Sequence, residues 1–78
     1  MTASARDAAL ALLAGRARDA TICKNEVARA IAGPEEWRAA MPAVHAAVDE
    51  LLAEGVIQLS WKGRALEERA GPSRIGQK

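Results

Sequence analysis

Apolar positions fall into helical spacing over the first two-thirds of this 78-residue chain and then switch to alternation. After "SARD", a capping-box form in which the Ser4 hydroxyl accepts from the amide of Asp7 and Asp7 reaches back, Ala9, Leu10, Leu13 and Ala14 recur on one helical face. Gly15 offers a left-handed stop, so a first helix is predicted over 4–16. "TIC" at 21–23 is short and β-favouring. Cys23 then stands at an N-cap with Glu26 three positions on, and Val27 and Ile31 share one face of a second helix over 24–32. Gly33 and Pro34 end that segment.

The next block, "PEEWRAAMPAVHAAVDELLAEG", contains two prolines. Pro34 suits a first helical turn, whereas Pro42 lacks an N–H and disfavours α geometry at Met41. A proline inside a helix costs about 3 kcal/mol and at the first helical position costs little. On those magnitudes 34–40 is predicted as a short helical connector and 42–54 as a third helix, with Val44, Val48, Leu51 and Leu52 inward. Trp37 and Met41 would pack over the joint, and Gly55 ends the helix.

"VIQLSW" alternates, setting Ile57, Leu59 and Trp61 on one side and Gln58 and Ser60 on the other, which predicts a half-buried strand. "KGR" at 62–64 reads as a turn, followed by a loop through Gly71 and Pro72 and a weak return strand near 73–76. This order predicts an α+β, mainly helical winged helix-turn-helix, three helices plus a short β-hairpin wing, as one domain over 1–78. A helical bundle with a loose tail is the competing architecture, disfavoured by the alternation.

Composition sharpens this picture in two ways. A chain this short buries only about 60% of its unfolded surface, so each large side chain matters. With no Phe or Tyr, Trp37 and Trp61 are expected as core pillars, each able to bury about 150–250 Å². The lone Cys23 excludes an internal disulfide and a multi-cysteine metal site, and fits a reducing compartment. No apolar run approaches the roughly 20 residues that cross a bilayer. Asp7 beside the short run "AALALLAG" favours an amphipathic helix over a signal segment, so a cytoplasmic, non-membrane protein is expected.

Net charge is +1, but its distribution is uneven: +2 over 1–33, −4 over 34–56 and +3 over 57–78. With the elements in place, the chain resembles a bacterial family of small proteins of unknown function. The resemblance rests on "TIC" with "EVARAI", "WRAAMPAV", "LLAEGVI", "KGR" and "GPSRI", the Trp-Arg-x-x-Met-Pro element being the most specific. It implies a winged-helix fold and a regulatory role. The family pattern carries arginine where this chain has His45 and proline where it has Lys24.

Four residues are candidates for contact with double-stranded DNA. Arg38 and His45 flank the expected start of the third helix, where side chains and exposed amides would meet phosphates and base edges. Lys62 and Arg64 border the expected wing and suit a phosphate backbone, with Arg16, Arg18, Lys24, Arg69, Arg74 and Lys78 as possible extensions. The plainer readings are Arg38 paired with Glu35 or another nearby acid, a solvated His45 and an ordinary charged turn. Asp49, Glu50 and Glu54 oppose a polyanion, and the alanines of that helix offer little readout. The alternative function is therefore a protein-interaction or self-association module on the same fold. Cys23 reads as a small buried residue rather than a reactive thiol. No nucleophile–base pair or metal set is visible, so neither an enzyme nor a cofactor is expected.

Overall fold

Ser4 begins the first helix as its side chain allows: Oγ accepts from the Asp7 amide at 3.1 Å. The computed structural model describes residues 4–66 and 73–78. Helix α1 spans Ala5–Ala14, strand β1 Thr21–Cys23, helix α2 Lys24–Ala53, and strands β2, β3 and β4 Ile57–Trp61, Arg64–Leu66 and Arg74–Gln77. Gly15 does not provide the expected left-handed stop, since its φ is −82°. Local amides close the helix end, Gly15 N–H to the Ala11 carbonyl at 3.2 Å and Arg16 N–H to that of Leu13 at 3.1 Å, and Gln77 Nε2 also donates to the Leu13 carbonyl at 2.7 Å.

The prediction of three helices with a hairpin wing is overturned, and α+β is what remains of it. Helix α2 passes straight through Pro42, so 34–40 is no connector and 42–54 no separate helix. The interruption lies at Gly33, with φ 86° and ψ 175°, a conformation essentially reserved for glycine. Pro34 then opens the second limb at little cost. What offsets Pro42 is burial. Val44, Val48 and Leu51 are fully buried on that limb, each contributing about 1.5–3 kcal/mol, which together exceed the roughly 3 kcal/mol of one interior proline. Pro42 itself is exposed, so water reaches that side of the helix.

The hairpin wing gives way to a four-stranded antiparallel sheet in the order β1-β4-β2-β3. Leu59 faces Ile75 and Leu66, and Ile22 faces Ile75, so β4 lies between β1 and β2. The return strand expected near 73–76 thus joins the first and last thirds of the chain. Ile22, Ile57, Leu59 and Ile75 point to one face and are fully or nearly fully buried with Ala9, Leu13, Val27, Ala28, Val44, Val48 and Leu51. Arg74, Gln58 and Ala65 mark the opposite, exposed face. The loop expected through Gly71 and Pro72 lies outside the described residues.

One tryptophan departs from expectation. Trp37 is half-buried against the core, but Trp61, the last residue of β2, is 40% exposed and lies outside the cluster that holds Leu59.

Arg6 ties the two helices at their other end, donating to both Glu54 carboxylate oxygens at 2.6 and 2.7 Å, with Glu50 at 3.8 Å. The hydrogen bonds from Arg6, and then its charge, hold the Glu54 carboxyl below its ordinary pKa despite the opposing effect of burial. A folded-state pKa below the unfolded one contributes stability at neutral pH that is lost as pH falls through the folded value. Glu54→Gln should therefore lower the melting temperature slightly at pH 7. The gap to the parent protein should begin to narrow below the ordinary carboxylate value of about 4.3 and close once the pH passes the lower folded value. A gap that persists at acidic pH would assign the effect to something other than this pair.

Candidate functional site

The β2–β3 connection is a two-residue turn. Trp61 pairs with Arg64 across it, while Lys62 and Gly63 have φ of 52° and 81°. Positive φ at both central positions is the I′ geometry, whose twist matches that of the strands. Glycine accepts that conformation freely, whereas for a lysine it is uncommon and costs about 1 kcal/mol or more. The turn lifts the Lys62 ammonium to the tip, and Trp61, Lys62 and Arg64 are all exposed.

Strand register brings a further cation to this end of the sheet. Cys23 faces Arg74 and Arg74 faces Ser60, and Lys24 and Ser73 follow just beyond that pairing. Lys24 Nζ donates to the buried Ser73 Oγ at 3.0 Å. The first turn of α2 therefore begins at this end of the sheet, with β4 between β1 and the hairpin. Cys23 is half-buried there, its amide donating to the Glu26 carboxylate at 3.3 Å.

Glu54 and Glu50, both against Arg6, lie at the opposite end. Glu54 closes α2 shortly before Ile57, and Ile57 pairs with Gln77 at the far margin of β2 from Trp61. Five strand residues at about 3.4 Å per step separate the two ends by about 14 Å, beyond the roughly 8 Å screening length at physiological salt. The −4 segment that argues against a polyanion in linear sequence is thus partly removed from the cationic turn.

Of the four predicted contact residues, Lys62 and Arg64 come together at the turn. Arg38 lies on α2 with its guanidinium 4.7 Å from the Trp37 ring centroid, and among the described residues it forms no ion pair with Glu35. His45 is half-buried and already partnered, which removes it from the exposed face expected for it. Among the extensions, Arg16 binds Glu26 at 3.4 Å, Arg18 meets the Lys78 carbonyl, and Arg74 donates to Thr21 Oγ1 at 2.8 Å. Sequence reasoning missed Arg29, whose guanidinium lies 5.2 Å from the same Trp37 ring. Its spacing from Trp37, eight residues across a glycine, gives no helical signal.

A cavity of about 160 Å³ lies between α1 and the chain end, lined by Leu10, Leu13, Ala14, Val56, Gln77 and Lys78. Sites for small organic ligands run to about 300–1,000 Å³, so this one suits at most a single side chain. Among the described residues no cluster of three or more His, Cys, Asp or Glu side chains is arranged to hold a metal ion. None of their helices is long and apolar enough to cross a membrane.

These features define a small α+β domain: two helices, one of them bent, on one face of a four-stranded antiparallel sheet with a basic, tryptophan-bearing turn at its end. Residues 2–78 match the family described as "Protein of unknown function (DUF3253)", and the chain belongs to it. No curated protein matches the chain.

Proposed function

We propose that this domain binds double-stranded DNA through its phosphate backbone, as the binding module of a small bacterial regulator and not as an enzyme. The observation that carries the reading is Lys62, held in a left-handed conformation at the tip of the turn between exposed Trp61 and Arg64. Asn or Gly would fill that position at less conformational expense, so the lysine is explained by its charge. No separate recognition helix enters this reading. The turn supplies backbone contact, which positions a protein on a duplex without reading its sequence.

Fluorescence anisotropy with a short random-sequence duplex tests the reading. The parent protein should bind at low salt and weaken steeply as salt rises. Lys62→Glu with Arg64→Glu should reduce the slope of log affinity against log salt by about 2, one for each lost phosphate contact. Lys62→Asn, which keeps the turn geometry and removes one cation, should lower the slope by about 1 while the fold stays intact. Absence of binding at low salt removes the proposal.

A second reading, a protein-interaction or self-association surface, is favoured by the outer face of α2. There Ala39, Pro42, Ala43 and Ala46 are exposed in succession and lead to Asp49 and Glu50. Light scattering of the eluting protein that shows a dimer, together with no response to DNA, would favour it.

A further inference from the structure

The arginines of the described residues divide into two groups. Arg6, Arg16, Arg18 and Arg74 are committed to carboxylates, carbonyls or the Thr21 hydroxyl. Arg29, Arg38 and Arg64 have no hydrogen bond or ion pair among these residues, and all three are exposed. Arg64 belongs to the turn. Arg29 and Arg38 lie on the two sides of the Gly33 bend and meet a single indole, Trp37, at 5.2 and 4.7 Å. Their guanidinium carbons are consequently within about 10 Å of each other.

A guanidinium over an indole gives up its flat face and keeps its N–H edge for an anion. Trp37 is seated against the core, so stacking restrains side chains that would otherwise move freely. Less ordering is then left to be done when an anion arrives, which is the physical content of preorganisation. Glu35 and Glu36 precede the cluster, but as exposed acids in the first turn of the second limb they are accommodated by the helix dipole. Neither forms an ion pair with Arg29 or Arg38 among the described residues.

We propose that Arg29 and Arg38, held against Trp37 at the bend of α2, form a second contact with the DNA phosphate backbone, additional to the turn. This rests on the duplex-binding reading above and extends it from one loop to two separate points. A phosphate oxygen accepts from the N–H edges, and the charge of each arginine displaces counterions from the duplex.

The same labelled random-sequence duplex tests it on the full chain, with thermal melts to establish that each variant folds. Arg29→Gln with Arg38→Gln should lower the salt slope by about 2, and Arg29→Lys with Arg38→Lys should keep it. An unchanged slope in the Gln pair, alongside a reduced slope for Lys62→Glu with Arg64→Glu, overturns the second contact and leaves the turn standing. Equal loss in the Gln and Lys pairs assigns the effect to packing on Trp37 and also overturns it. If the parent protein does not bind, the turn and the bend fail together.

Discussion

Leu51→Ala should destabilise the domain by about 2–5 kcal/mol, the range for deleting a buried leucine and leaving a cavity behind. Leu51 is fully buried on the second limb of α2, within the cluster that includes Val44, Val48, Ile57 and Leu59. A domain of this length is stable by only about 4–12 kcal/mol, at about 0.05–0.15 kcal/mol per residue. One truncation thus consumes a large part of the total. Urea unfolding followed by tryptophan fluorescence measures it, through a lower midpoint at an unchanged slope. A loss under about 1 kcal/mol would mean that the second limb does not pack on the sheet as described.

Gly33→Ala should destabilise by about 1–3 kcal/mol, and Pro42→Ala should act in the opposite direction. A Cβ at Gly33 would meet nothing within 4 Å, so its cost comes from the backbone, at φ 86° and ψ 175°, and not from crowding. Pro42 is exposed within continuous helix, so replacing it loses no core contact and restores an amide donor toward the Arg38 carbonyl. The gain should reach at most the roughly 3 kcal/mol that separates proline from alanine in a helix interior. Paired denaturation curves decide the matter by sign. A neutral Gly33→Ala with a destabilising Pro42→Ala would put the bend at the wrong residue. Gly33→Ala should also separate Arg29 from Trp37, giving a fluorescence change that Pro42→Ala lacks.

These two positions show why local rules misplace the bend. Proline at 42 carries a known penalty, and setting a break there follows if helix propensity is weighed alone. The opposing quantity is the apolar area of Val44, Val48 and Leu51, which counts only once a sheet exists to cover it. Gly33 is visible in the sequence as a terminator, but a terminator does not disclose that the helix resumes at the next residue.

The candidate site was legible in the same uneven way. Lys62 and Arg64 around a glycine read directly as a charged turn, since turn chemistry is local. Arg29 and Arg38 meet on Trp37 from the two sides of a bend, and Trp61, at the last position of its strand, is exposed while Leu59 two residues before it is fully buried. Alternation assigns Trp61 correctly to the side of Ile57 and Leu59, yet it carries no information about where cover ends.

The sequence by itself determined α1, the "TIC" strand, the strand at Ile57–Trp61, the 62–64 turn and most of the buried set. Each of these depends on periodicity or capping within a few residues. Tertiary structure decided the course of α2 through Pro42 and the place of β4 between β1 and β2. Burial energy and strand pairing act between residues as far apart as Thr21 and Gly76, 55 positions from each other, and no local window contains both partners.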